Sequence, residues 1–213
     1  MKDKNSNIHL LAGDLVILPN TEGIISTLLG SCVAIIFHVP NKVSMACHAL
    51  LPHPKSNFDI CGSNCPKPCE EVRGAMSEYR YVTCSIKRMI SELQRLHIHP
   101  SQVHVSLIGG ANVLDFVNEE TIGVQNIRTA REMLQSCGFT IRREHTGGIN
   151  GCNVVFHTST NTLLIKVHGG SSAFELGDNF SASFQPRSNA QRNDELHLKL
   201  KEELDKLKNH FNK

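Results

Sequence analysis

Two residues of this chain have the chemistry and the setting for acyl transfer. Cys32 stands in the stretch Leu29-Gly-Ser-Cys-Val-Ala-Ile-Ile-Phe37, at the mouth of an apolar run that reads as a buried strand. A thiol is a useful nucleophile at neutral pH only when a His, a helix N-terminus or backbone N–H groups favour its thiolate. Gly30 and Ser31 supply the tight backbone approach, and they are candidate contacts for whatever docks there. His48 lies in the next apolar run, Lys42 to Pro52, reached through the short turn His-Val-Pro-Asn-Lys. Neighbouring antiparallel strands lie about 5 Å apart, so a hairpin brings an imidazole within reach of a thiol. The residues alone also fit a plainer reading, with Cys32 a small core hydrophobe and His48 a satisfied core histidine.

A second group, Cys61, Cys65 and Cys69, falls within the Gly- and Pro-bearing loop 58–70, with three residues between successive thiols. Three thiolates completed by His53 or Cys84 would make a zinc site. A loop of this composition would also fold around an iron–sulfur cluster. Three unligated thiols in a reducing compartment weigh about equally with a bound metal or cluster.

The elements that must position these groups follow from periodicity. Residues 14–18, 33–37 and 42–52 read as strands bounded by Pro and Gly. Val82, Ile86, Met89, Ile90, Leu93 and Leu96 recur at helical spacing, which predicts an amphipathic helix over 78–96. Residues 103–111 read as a strand ending at the pair Gly109-Gly110, and a second helix is expected over 126–136, stopped at Gly138. Three further strand-like runs between residues 139 and 170 suggest a closing β-meander. The expected fold is therefore an α/β sandwich in which helices pack on one mixed sheet, occupying residues 1–170. Residues 171–193 read as a linker, and 194–213, with Leu196, Leu200, Leu204, Leu207 and Phe211, as an appended charged amphipathic helix.

With 213 residues and a formal charge of only +2, the chain has one core of ordinary size and no basic field suited to nucleic acid. No secretory signal or membrane-spanning run is legible, so a cytoplasmic protein without membrane insertion is expected. The eight Cys then read as thiols, ligands or catalysts, not as a disulfide framework.

The order of five motifs adds a resemblance. STLLGSCVAIIF, MACHALLP, SLIGGAN, IGVQNIRTAREML and HTGGINGCNVVFHTSTNTLLIKV, in that order between Leu11 and Val167, resemble the CheD family of chemoreceptor glutamine deamidases. The resemblance implies a Cys-His-Thr site in an α/β sandwich, with Cys32 as nucleophile and His48 as base. The family's Thr falls at Ser26 here, with Thr27 beside it, and both are carried as candidates. It implies hydrolysis of receptor glutamines to glutamate with release of ammonia, without a metal. Attack at the same carbonyl would also serve a methyl ester.

Gly109, Gly110, Gly147 and Gly148 match the family's glycine pairs. Their small size would let a receptor helix or partner approach the cleft, and a role only in turns fits them equally. The family also implies a CheC-type phosphatase as a partner. The competing function is a regulatory binding partner of such a phosphatase, or a redox-sensing adaptor, with little catalysis. A hydrolase acting on a small metabolite uses the same dyad but has no pocket signature in the sequence.

Overall fold

The computed structural model describes residues 6–19, 22–54, 78–113 and 121–184. In chain order these form β1 (Ser6–His9), β2 (Leu15–Pro19), β3 (Gly23–Leu29), β4 (Val33–Val39), β5 (Val43–Ala49), α1 (Val82–Arg95), β6 (His104–Gly109), α2 (Ile122–Ser136), β7 (Ile141–Gly147), β8 (Cys152–His157), β9 (Thr162–Val167), β10 (Phe174–Glu175) and β11 (Ser181–Phe184). Among the described residues the strands make two mixed sheets, β1-β3-β8-β9-β10 and β11-β7-β6-β4-β5-β2.

The one mixed sheet expected from the sequence is thus two, and the reason lies in β4 and β5. Both are buried along their whole length. A strand covered on both faces reads as a continuous apolar run and not as an alternating one. One face, with Ile35, Phe37, Met45 and Cys47, packs on Ile86, Met89, Leu93, Ala130 and Leu134 of the helices. The other, with Ala34, Ile36 and Ala46, packs on Ile25, Val154, Phe156 and Ile165 of the five-stranded sheet. The expected meander is split accordingly. β7 pairs in parallel with β6 across the α2 crossover, while β8 and β9 form a hairpin in the other sheet.

Both helices lie where the apolar spacing places them. α2 ends in a 6→1 and 5→2 pair of bonds, Phe139 N–H to Leu134 C=O and Gly138 N–H to Gln135 C=O, with Gly138 at φ +80°. It begins four residues earlier than expected, at Ile122, because Gly123 is seated against the backbone of Gly110 and tertiary contact outweighs the glycine's poor helix propensity. The expected linker also changes. Residues 174–175 and 181–184 pair with β9 and β7, anchored by fully buried Leu176. The loop 58–70 and the helix expected at 194–213 lie outside the described residues. Among the described residues, no helix is long and apolar enough to cross a membrane.

Candidate active site

β3, which the sequence reading passed over, supplies the first part of the site. Its residues alternate, with Ile25, Thr27 and Leu29 turned to the inter-sheet layer and Leu28 to solvent. β5 contributes His48 on the same layer, since its neighbour of equal parity, Ala46, belongs to that cluster. The two meet there, with Thr27 Oγ1 and His48 Nδ1 2.8 Å apart and both residues buried.

The direction of that bond follows from a third group. Thr27 Oγ1 also lies 2.9 Å from the Leu10 carbonyl oxygen, which can only accept. The hydroxyl has one proton and gives it to Leu10, so toward His48 it accepts. Nδ1 therefore carries the imidazole proton, and Nε2 is the basic nitrogen. The turn before β2 fixes the same histidine through its backbone. Gly13 N–H donates to the His48 carbonyl at 2.8 Å, and His48 N–H donates to the Asp14 carbonyl at 2.9 Å. Ser26 is placed elsewhere: its hydroxyl faces His9 Nδ1 at 3.1 Å and the Ile8 carbonyl at 3.4 Å.

Cys32 closes the loop between β3 and β4. It is a half-buried free thiol packed against the inter-sheet cluster. Ala34 and His48 are register partners in the β4–β5 ladder. Cys32 lies one residue before that ladder and packs toward the same inter-sheet layer as Ala34. Three successive carbonyls of its loop are engaged. Gly30 accepts from Ala111 N–H at 2.8 Å, Ser31 from Asn126 Nδ2 at 3.0 Å and Cys32 from Gly110 N–H at 2.7 Å.

Burial pushes the Cys32 thiol up, against a smaller downward pull from its own backbone N–H. Burial pushes His48 down, opposed by the Leu10 carbonyl and the Asp14 charge and aided by His9. Both shifts favour the uncharged forms. A pair of this kind works by general base catalysis, with the thiol proton moving to Nε2 as the sulfur attacks.

The glycines divide. Gly109 and Gly110 are buried with φ of +100° and +70°. A Cβ at Gly109 would collide with the Cys32 carbonyl, and one at Gly110 with Ile127 of α2. The close approach they permit in this structure is within the chain, to the Cys32 carbonyl and to α2. Gly147 and Gly148 are half-buried with φ near +80°, and the Gly148 carbonyl accepts from Asn112 N–H at 2.8 Å. Sequence reasoning missed Leu10, Gly123 and Asn126. For Asn126 there was a signal, an amide on the buried face of an otherwise apolar helix.

Cys61, Cys65 and Cys69 lie outside the described residues. Their expected fourth ligands are inside: His53 Nδ1 is 3.1 Å from the Pro54 carbonyl, and Cys84 is half-buried on α1. Among the described residues no group of three or more His, Cys, Asp or Glu side chains is arranged to hold a metal ion.

Comparison with known proteins gives this geometry its family. A chain from Geobacter sulfurreducens named "Probable chemoreceptor glutamine deamidase CheD 2" is 31% identical over 145 residues, covering 67% of this chain and 79% of the relative. The chain belongs to the CheD family. The family model for CheD chemotactic sensory transduction matches residues 66–167, from the Cys-rich loop to the end of β9. A CheD from Maridesulfovibrio salexigens, again a probable chemoreceptor glutamine deamidase by name, is 31% identical over 149 residues, covering 67% of this chain and 81% of its own. The Thermotoga maritima "Chemoreceptor glutamine deamidase CheD" is 25% identical over 165 residues, 77% of this chain and 94% of its own. The CheD family model starts downstream of Cys32 and His48, so those two residues stand on the geometry above.

Proposed function

We propose that this chain is a protein-glutamine deamidase that converts glutamines on the cytoplasmic helices of chemoreceptors to glutamate. Membership of the CheD family and the names of its relatives support the reaction class. The observation that carries the site is the buried Thr27–His48 hydrogen bond, with the Thr27 proton given to Leu10, on the strand paired to the one that Cys32 precedes.

In this reading the Cys32 sulfur attacks the side-chain amide carbon while His48 Nε2 takes the thiol proton. The tetrahedral oxyanion is held by N–H groups of the Gly30–Cys32 loop, whose carbonyls are already engaged. His48 returns the proton to the amide nitrogen, the C–N bond breaks and ammonia leaves a thioester. Water then attacks the thioester with His48 again as base, which frees the thiol and leaves glutamate. Thr27, not Ser26, is the hydroxyl that keeps Nδ1 protonated and Nε2 basic. No metal takes part.

The rim supports a protein substrate. Leu11, Leu28, Val113 and Ile149 are each more than half exposed. Each adjoins in sequence a residue bonded around the site, and exposed apolar side chains in those positions would suit the face of an amphipathic helix. A CheC-type phosphatase is the partner proposed to compete for this rim. Zinc or an iron–sulfur cluster on Cys61, Cys65 and Cys69 remains a separate proposal, tested by elemental analysis: about one metal equivalent or more per chain supports it, and none leaves three free thiols.

The deciding experiment is peptide mass spectrometry of a co-expressed receptor cytoplasmic fragment. Gains of about 1 Da at specific glutamines that vanish with Cys32→Ala are expected from a thiol nucleophile. Unshifted glutamines across several receptors, with folded protein, would instead favour the regulatory binding partner.

A further inference from the structure

Asn126 is fully enclosed on the buried face of α2, beside Ile127, Ala130 and Leu134. Its Nδ2 group donates both hydrogens to backbone carbonyls of two different segments, Ser31 at 3.0 Å and Leu50 at 2.9 Å. Ser31 precedes Cys32, and Leu50 follows His48 by two residues. Its Oδ1, equally buried, has no hydrogen-bond partner among the described residues. An unpaired buried carbonyl costs stability that an apolar side chain of the same size would not. The amide is therefore kept for its two donors.

The helix that presents those donors is itself locked to the Cys32 loop. Gly123 of α2 lies against the backbone of Gly110, and the Gly110 N–H donates to the Cys32 carbonyl at 2.7 Å. One rigid element thus grips the chain on the nucleophile's side and on the base's side.

We propose that Asn126 is a positioning residue, tying the Cys32 loop and the end of the His48 strand to α2 so that thiol and imidazole stay in reacting register. The inference rests on the reading of Cys32 as nucleophile and His48 as base. It goes beyond that reading in assigning the register to a helix side chain that touches neither reacting atom.

The test compares the full chain with Asn126→Leu, Asn126→Ala, His48→Gln and Cys32→Ala. Asn126→Leu matches the branched shape and removes the orphaned carbonyl but leaves the Ser31 and Leu50 carbonyls without their donor, so it is expected to fold with a melting temperature lowered by several degrees. Receptor-fragment deamidation and the pH profile of Cys32 alkylation by iodoacetamide are measured well below that temperature. Both Asn126 variants are expected to lose about 100-fold in kcat with little change in KM, the scale of a misplaced reacting group. Their Cys32 alkylation profile is expected to lose its His48-dependent limb and coincide with that of His48→Gln. Wild-type kcat and an unchanged alkylation profile in Asn126→Leu would overturn the proposal and leave Asn126 a packing residue. Deamidation that persists in Cys32→Ala would overturn the reading of the site itself, which separates the two failures.

Discussion

The β4–β5 hairpin carries a buried histidine at each end, both on the face toward the five-stranded sheet, and each bonds a hydroxyl in a different setting. His48 bonds the hydroxyl of Thr27 at 2.8 Å, and His38 bonds that of Ser44 at 2.9 Å. The difference lies in what surrounds each pair. Thr27 comes from the other sheet, its proton is committed to Leu10, and a thiol precedes the partner strand. Ser44 is His38's own register partner. His38 faces the ring of Phe156, with His104 and the Arg143 guanidinium nearby and Asp178 opposing them, and burial first, then those two neighbours, push its pKa down to about 4. A cavity of ≈ 550 Å³ opens at that distal end, lined among others by His38, Lys42, Ser44 and Asn161, and no thiol lines it. A histidine–hydroxyl pair is therefore found at the end away from Cys32 as well, there beside a cavity. The proposed helical substrate would instead be met at the Cys32 end, where exposed Leu28 and Val113 flank the loop.

Breaking this comparison should produce its largest effect at the base. His48→Gln is expected to lower kcat about 10²- to 10⁴-fold in receptor deamidation, whereas His38→Gln leaves it unchanged. Next comes the hydroxyl. Thr27→Val is expected to cost about 100-fold in kcat by freeing the imidazole's orientation, with Thr27→Ser recovering most of it. Ser44→Ala and Ser26→Ala should leave kcat as it is, and a loss in Ser26→Ala matching that of Thr27→Val would reassign the third residue.

The distal end should instead answer in stability. Buried Arg143 donates to Ser106 Oγ, the Asn161 carbonyl and Asn161 Oδ1 at 3.0, 2.7 and 2.6 Å. Arg143→Ala orphans all three acceptors and should cost about 3 kcal/mol in urea unfolding, with kcat of the folded enzyme retained. The smallest effect is that of pH. Unfolded, His38 takes a proton near its ordinary 6.5, and folded only near about 4. Between those values the unfolded chain binds more protons, so stability falls as pH drops through that window. Thermal melts at pH 7.5, 6 and 4.5 should show the decline, and His38→Gln should lessen it while His48, His104 and His145, held down in the same direction, keep the remainder.

How much of this was legible in the sequence depended on which force decided each element. Both helices announced themselves because their apolar faces repeat at helical spacing. Cys32 and His48 were legible as candidates, because few residue types can do acyl chemistry. The choice between Ser26 and Thr27 was not, since it turns on the parity of β3 and on which sheet β3 joins. The second sheet was hidden for a related reason: β4 and β5 are apolar on both faces and carry no alternation to show that two layers cover them. Asn126 bonds segments 95 and 76 residues away, a separation no local pattern encodes.

The most direct test of the central claim is to incubate the purified chain with a receptor fragment in H₂¹⁸O and map each glutamine by mass spectrometry. Hydrolysis through a Cys32 thioester is expected to add about 3 Da at the modified glutamines, from one ¹⁸O replacing the amide nitrogen, and nothing with Cys32→Ala. Equal incorporation by wild type and Cys32→Ala, or none by folded wild type, would contradict it.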